Sequence, residues 1–298
     1  MYKPLLKKFF LSTAALFFAM LVLPQQVQAQ EPVNYELKLA GMRVSSLNCD
    51  DLSSIDGVSG TAKFDPESKT LTLDNATIST SVIKFPGLEN SIKGLTIRLI
   101  GDNTITSENY WGLFNNTERS ITFTGSGKLT VNGSTTAPQT GYRRAIFNWG
   151  TIVVDGCTLE ANGGVYGIGS GFWKFVNCNV RTKGGGGSQS DEYAGSLTWM
   201  WDKEPEFVGC KITSPAGVSW KKFQNNGYDN YVLVGEDGNA VTDWVEITRD
   251  NTGVNAPNTD AATAKRGIYT LQGLRLSGEL KDQPAGIYIV DGKKVVKP

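Results

Sequence analysis

The sequence of 298 residues contains no histidine. This absence excludes Ser-His-Asp and Cys-His catalysis, zinc sites with histidine ligands and proton transfer by an imidazole. Charged residues make up only 19% of the chain, and the 29 basic residues are balanced by 29 acidic ones. Without a basic cluster the protein cannot replace the counterions of a phosphate backbone, so a nucleic acid is not an expected partner.

Long apolar runs are missing except near the amino terminus. There, three lysines precede a largely apolar run of 15 residues, 9–23, and the small residues Val27 and Ala29 follow at the −3 and −1 positions of a cleavage site. A helix of this length falls short of the roughly 30 Å hydrocarbon core of a bilayer. Residues 1–29 therefore predict a secretory signal peptide, and no membrane-spanning segment is expected after its cleavage.

Helical periodicity is also scarce, whereas glycine is abundant, at 34 residues. Short β-type segments repeat through the middle of the chain at intervals of roughly 20–50 residues, the range that is typical of solenoids. The six segments are 71–78, 97–105, 121–129, 152–159, 173–180 and 205–212.

The spacing of apolar residues within a segment indicates how the chain turns. Side chains two residues apart share a face of a strand, but in segment 152–159 the apolar face steps by three residues, from Val154 to Cys157. One residue is therefore absorbed in a corner, so that both flanking strands point into one core. The corner residues are of types that tolerate positive φ: Asn75, Gly156, Asn177 and Gly209.

A third strand in each repeat follows a small residue. Its first apolar positions are Leu113, Ile146, Ile168, Leu197 and Val218. Two residues later, on the same face, come Asn115, Asn148, Ser170, Trp199 and Trp220. We expect these positions to stack as an internal polar ladder that gives way to aromatic residues, since repeated amides can satisfy each other's hydrogen bonds.

The predicted fold is all-β: a right-handed parallel β-helix, a solenoid of about three strands per turn. A signal peptide (1–29) precedes an N-terminal β cap (30–64), the parallel β-helix (65–248), a linker (249–266) and a C-terminal β segment (267–298). In the last segment, Asp291-Gly292 between apolar runs predicts a hairpin.

The four cysteines follow the same logic. Cys157, Cys178 and Cys210 come directly after predicted corners, and Ala76 has the equivalent position in the first repeat. Stacked side chains one strand spacing apart, ~4.8 Å, are too parallel for the ~90° dihedral of a disulfide. Cys49 lies in the cap without a partner. The sequence predicts four reduced thiols with no metal role.

Two parts of the chain carry family resemblances. The tail pattern Gly267-Ile-Tyr, Gln272-Gly273 and Gly286-Ile-Tyr-Ile-Val resembles the C-terminal sorting domains of type IX secretion cargo, common in secreted proteins of Bacteroidota. This resemblance implies the outer-membrane secretion machinery as a partner and the extracellular space or outer cell surface as the location.

The second resemblance lies near the amino terminus, in residues 35–41, 64–66 and 70–78. This part is similar to bacterial surface proteins in which a small β cap precedes a β-helix of the pectin lyase-like fold, some of them described as carbohydrate-binding. It implies a polysaccharide or surface glycan as the ligand, on the ground of fold alone.

Secreted β-helices that cleave acidic polysaccharides provide the alternative. Polygalacturonase-type hydrolases carry a Gly-His-Gly motif, which a chain without histidine cannot match. Pectate lyases need a calcium cluster, whereas the densest acids here fall in and beside one loop without alternation: Asp191, Glu192, Asp202, Glu204 and Glu206. We expect a non-catalytic protein without a cofactor, with a calcium-dependent lyase or hydrolase, or a structural or adhesive surface protein, as alternatives.

Aromatic residues are the candidate ligand contacts, because flat rings stack on sugar faces. Trp199 and Trp201 alternate and so face one side of a strand, although the parity of Trp199 and Trp220 also suits the core or the cap. Trp149 has the opposite parity to the inward Ile146 and should lie on the surface. The predicted ligand-binding residues are Tyr110, Tyr142, Trp149 and Trp201.

Overall fold

The computed structural model describes residues 31–186, 191–250, 267–270, 275–290 and 293–298. The predicted signal peptide and most of the predicted linker lie outside these residues. The chain divides into two compact units, 1–250 and 251–298. Within the described ranges there is no α-helix, and the 3₁₀ helices are Leu52–Ser54, Thr140–Tyr142 and Leu280–Asp282. No helix in the described part of the chain is long and apolar enough to cross a membrane.

The first unit consists of short strands. They are β1 (Asn34–Leu39), β2 (Met42–Ser45), β3 (Val58–Asp65), β4 (Thr70–Thr80), β5 (Leu88–Asn90), β6 (Lys93–Ile100), β7 (Asp102–Ser107), β8 (Leu113–Asn115), β9 (Ser120–Gly125), β10 (Lys128–Asn132), β11 (Arg144–Asn148), β12 (Thr151–Asp155), β13 (Thr158–Gly163), β14 (Tyr166–Gly169), β15 (Phe172–Val176), β16 (Asn179–Gly184), β17 (Leu197–Thr198), β18 (Met200–Trp201), β19 (Glu206–Val208), β20 (Cys210–Ser214), β21 (Ser219–Asn225), β22 (Tyr228–Val234) and β23 (Val245–Arg249).

Strands that are one repeat apart pair in parallel. One sheet contains β5, β8, β11, β14 and β17 in this order. In the other sheet, the first half of β4 starts the series β6, β9, β12, β15 and β19, and its second half starts the series β7, β10, β13 and β16. The prediction of an all-β protein with parallel strands is confirmed.

Antiparallel strands cover one end of the parallel series. β1 pairs with β5 and carries β2 on its other side, and β3 pairs with β4. Residues 34–65 thus contribute three strands in the region where a β cap is predicted. Such strands satisfy the backbone groups that a first parallel strand would leave at an open edge.

The predicted corners have left-handed backbone conformations. Asn75, Gly156, Asn177 and Gly209 have φ of +49°, +71°, +43° and +61°. Asn75 lies within β4 and the other three each separate two strands, and apolar residues on both sides of a corner face one core, as the buried Val154 and Leu159 do around Gly156. The predicted role of these four residues is confirmed.

The predicted equivalence of Ala76 and the cysteines is wrong. Thr77 pairs with Thr104, so the preceding residues Ala76 and Asn103 share a row. That row continues through Leu129 and Leu159 rather than through Cys157. Between the second and third repeats the corner moves by two residues along the strand. Because side chains two residues apart share a face, this shift leaves the apolar pattern unchanged.

The last repeat departs from the predicted stacking. β19 continues its parallel series. The equivalence of Ile212 and Val180 predicts that β20 pairs with β16, but these two strands do not pair. Instead β23 lies between them, antiparallel to both, and its Ile247 pairs with Val180 on one side and Ile212 on the other. In β23 the fully buried Val245 and Ile247 alternate with outward residues. A strand with this alternation can pair with the edge in either the parallel or the antiparallel direction.

The third-strand series ends earlier than predicted. Leu113, Ile146, Ile168 and Leu197 occupy successive positions of one sheet. The next predicted member, Val218, is followed by β21, which pairs antiparallel with β22 and so forms a hairpin that also carries β18.

All four cysteines are unpaired and buried, as predicted. Cys178 lies against Cys210. The pKa of the Cys178 thiol is raised, mainly by burial and to a smaller extent by the neighbouring Cys210. Burial also raises the pKa of Cys157 to about 11. These thiols act as small apolar groups of the core.

The second unit is a four-stranded antiparallel sheet in the order β25, β24, β26, β27. Its strands are β24 (Ile268–Thr270), β25 (Arg275–Leu276), β26 (Gly286–Val290) and β27 (Lys293–Lys297). Val290 pairs with Lys293 across residues 291 and 292, which confirms the predicted hairpin, although the turn itself lies outside the described residues.

Candidate functional site

Outward-facing residues of β8 and β11 form an aromatic surface. Leu113 and Asn115 of β8 point into the core, so Phe114 between them points outward. It pairs directly with Phe147 of β11, and the two ring centroids are 5.7 Å apart.

Four further rings join this pair. The aromatic strip, as we name it, consists of Tyr110, Trp111, Phe114, Tyr142, Phe147 and Trp149. Ring centroids are 4.1 Å apart for Tyr110 and Trp111, 4.6 Å for Trp111 and Phe147, and 5.2 Å for Phe147 and Trp149. Tyr142 packs on Tyr110 at 4.6 Å. The structure therefore brings together three of the four predicted ligand-binding residues, Tyr110, Tyr142 and Trp149.

The strip is anchored by contacts with the rest of the fold, yet part of it faces solvent. The indole N–H of Trp111 donates a hydrogen bond to the carbonyl oxygen of Gly141 at 2.8 Å. The pKa of the Tyr110 phenol is raised, mainly by burial and to a smaller extent by the nearby Tyr142. Trp149 is 40% exposed, as its parity predicts. Ordered aromatic faces at a surface can stack on a ligand with little loss of side-chain entropy.

A half-buried arginine borders the strip. The Arg144 guanidinium lies 4.5 Å from the ring centroid of Phe147 and 3.7 Å from that of Tyr166. Its Nε donates to Gly141 O at 3.1 Å, while Nη1 has no partner among the described residues. Burial lowers the pKa of Arg144. The hydroxyl of Tyr166 donates to the Asp191 carboxylate, which places a counter-charge nearby.

Trp201, the fourth predicted residue, lies elsewhere. It ends β18, which pairs with β22 of the hairpin, and it borders a cavity of about 460 Å³. We name this the hairpin cavity, and it shares no lining residue with the aromatic strip. Its lining residues are Phe172, Trp199, Trp201, Asp202, Asn225, Asn226, Tyr228, Asp229 and Asn230.

Trp199, expected in the core or the cap, is half-buried and lines the same cavity. It has a φ of +57°, and its ring makes an edge contact with Phe223 at 5.0 Å. Trp199 and Trp201 therefore do contribute to one surface, as their alternation suggests, but that surface is concave and is completed by the hairpin.

The acidic residues considered for calcium are dispersed. Asp191 accepts a hydrogen bond from Tyr166, Asp202 lines the hairpin cavity, and Glu206 forms an ion pair with Lys174 at 2.7 Å. In the ranges that the structure describes, no three Asp, Glu or Cys residues are grouped so that they could hold a metal ion.

Sequence reasoning missed several residues of both sites. Phe114 and Phe147 carry a usable signal, since each follows an inward apolar residue and must face outward. The hairpin could have been found from Asn226-Gly227, a dipeptide that favours two-residue turns with positive φ at both positions. The observed φ values are +51° and +82°.

Comparison with known proteins adds no assignment. No protein-family model matches the sequence, no curated protein matches it, and no solved structure matches the chain. Function is therefore inferred from the geometry of the strip and the cavity.

Proposed function

We propose that residues 65–248 form a right-handed parallel β-helix of about three strands per turn. The three parallel series and the left-handed corners between them support this architecture. A right-handed path agrees with the strong preference of crossovers between parallel strands.

The proposed function is non-catalytic binding of a glycan along the aromatic strip. The observation that carries it is the unbroken contact of six rings on β8, on β11 and on the residues that flank these two neighbouring strands, ending at the exposed Trp149. Sugar rings present apolar faces that pack on aromatic rings, and a solenoid flank offers a surface long enough for a polymer. The bordering Arg144 adds positive charge beside these faces.

The proposed location is the extracellular space or the outer cell surface. The signal peptide at residues 1–29 and the sorting-like pattern at 267–298 support export. The outer-membrane secretion machinery is then a partner of the tail, and a polysaccharide or surface glycan is the partner of the strip. The separate compact unit formed by the tail is consistent with such a division of roles.

The test is a glycan array probed with the mature chain, together with turnover assays on pectate and alginate. Trp149→Ala and Tyr142→Ala should each weaken binding of the best glycan about tenfold, since each removes one stacking face. Trp244→Ala is the matched control, because this half-buried tryptophan lies outside the strip, under the Arg181 guanidinium at 3.9 Å.

Two results would contradict the proposal. Equal losses in Trp149→Ala and Trp244→Ala would mean that the strip is not the binding surface. Calcium-dependent release of unsaturated sugars from pectate would mean that the protein is a lyase. Absence of binding to every arrayed glycan would favour the structural or adhesive alternative.

A further inference from the structure

The hairpin cavity has the dimensions of a ligand site. Its volume of about 460 Å³ lies within the roughly 300–1,000 Å³ of small-molecule pockets. Three segments that are distant in sequence form it: the start of β15, the end of β18, and the two strand ends that flank the hairpin turn.

Aromatic rings form the walls. Phe172 and Trp201 meet edge to face, with centroids 6.2 Å apart, and Trp201 remains half-buried. Trp199 and Tyr228 add further ring surface. Walls of this kind suit a flat, partly apolar ligand, and a pyranose ring is one.

Polar side chains complete the cavity and give it a net negative charge. Lys222 forms an ion pair with Asp229 at 2.7 Å, and Gln224 donates to the same carboxylate at 3.2 Å. These contacts lower the pKa of Asp229, and the hydrogen bond from Lys222 contributes most. Asp202, by contrast, has no side-chain hydrogen bond or ion pair with any described residue. The cavity therefore carries one uncompensated negative charge, which repels an anionic ligand.

Three residues of the cavity wall have left-handed backbone conformations. Trp199 and Asp202 both have φ of +57°, and a left-handed conformation is a genuine outlier for a bulky side chain. The indole N–H of Trp199 is buried without a partner among the described residues. The positive φ of Asn226 belongs to the hairpin turn, and that of Trp199 repeats the φ of +66° at Ser170, which precedes it by one repeat at the same end of the sheet.

We propose that the hairpin cavity is a second binding site, separate from the strip, for one pyranose unit that carries no negative charge. The ring stacks on Trp201, and its hydroxyls donate to the Asp202 carboxylate and exchange hydrogen bonds with the amides of Asn225 and Asn226. Such a site would hold a chain end or a side branch, whereas the strip follows the length of a polymer.

The experiment titrates the mature chain with methyl glucoside, methyl galactoside, methyl mannoside, N-acetylglucosamine, glucosamine and glucuronate, monitored by tryptophan fluorescence and calorimetry. At least one neutral or cationic sugar should bind, and glucuronate should bind at least tenfold more weakly than that sugar. Trp201→Ala should abolish binding of the monosaccharide, while Trp149→Ala should leave it unchanged.

A charge variant keeps the test decisive if Trp201→Ala does not fold. Asp202→Asn preserves size and tolerates the left-handed conformation, so it isolates the charge. It should weaken binding of the neutral sugar about tenfold, which corresponds to the loss of one hydrogen bond to a charged group. It should also reduce the difference in affinity between the neutral sugar and glucuronate. Failure of all six sugars to bind, preferred binding of glucuronate, or equal sensitivity to Trp149→Ala would overturn the second site. Loss of binding on the glycan array alone would overturn only the strip.

Discussion

Three buried asparagines join successive strands of the seven-stranded sheet. Asn90 Nδ2 donates to Asn115 Oδ1, and Asn115 Nδ2 donates to Asn148 Oδ1, both at 2.8 Å. Each amide also donates to a backbone carbonyl beyond its strand, as Asn115 does to Arg119. The predicted ladder of Asn115 and Asn148 is confirmed, and it extends upstream to Asn90. All three side chains are fully buried, so their polar atoms depend on one another.

Asn115→Ala should lower the free energy of unfolding by about 2 kcal/mol, because it removes the shared partner of two buried amides. Urea unfolding followed by circular dichroism measures the change. Asn132→Ala is the control: this half-buried side chain faces outward and makes one long hydrogen bond, 3.4 Å, to Thr106. A similar loss in both variants would contradict the ladder's contribution.

At the scale of elements, the corners decide where one strand ends and the next begins. Gly156 and Asn177 have the same position in consecutive repeats, because the preceding residues Asp155 and Val176 are paired. Both have left-handed conformations, and a Cβ added at Gly156 would meet no atom within 4 Å. A change in stability on substitution of Gly156 therefore measures the cost of the left-handed backbone conformation, because the added Cβ atom overlaps no other residue.

Gly156→Asn should be close to neutral, since asparagine already fills the next corner and tolerates positive φ. Gly156→Val should cost roughly 1–3 kcal/mol, because a β-branched residue is strained in this region. Thermal unfolding of the two variants beside the unaltered chain provides the measurement. Equal melting temperatures for the asparagine and valine variants would show that the corner conformation does not limit stability.

At the scale of the whole molecule, the chain consists of two compact units, with residues 251–298 forming the second. The tail unit has its own antiparallel sheet, in which β26 pairs with both β24 and β27. A unit with its own hydrogen-bonded sheet can be removed without opening the strand pairs of the first.

On the proposed export route, a chain truncated at Asn251 should keep its circular dichroism spectrum and the proposed glycan binding, yet accumulate in the periplasm. Cell fractionation and surface protease accessibility measure the location. Truncation within β23, which pairs with β16 and β20, is the contrasting variant and should destabilise the first unit. Normal surface display of the Asn251 truncation would contradict the proposed sorting role of the tail.

The sequence alone determined the strand class, the corners and the inward or outward direction of most side chains. These properties depend on neighbours within a few residues: period-two alternation, and the tolerance of asparagine and glycine for positive φ. For the same reason Trp149 could be assigned to the surface and Asn148 to the interior, one residue apart.

Only the tertiary structure decided which segments meet. A shift of two residues leaves an alternating pattern unchanged, so the displaced corner between the second and third repeats left no trace in the apolar spacing. Nothing in the alternation of β23 indicates that it would insert between β16 and β20. The clustering of Tyr110, Tyr142 and Trp149 and the separation of Trp201 likewise follow from contacts between distant segments. Local preferences act through adjacent residues, whereas a binding surface is made by strands that the chain brings together one repeat or more apart.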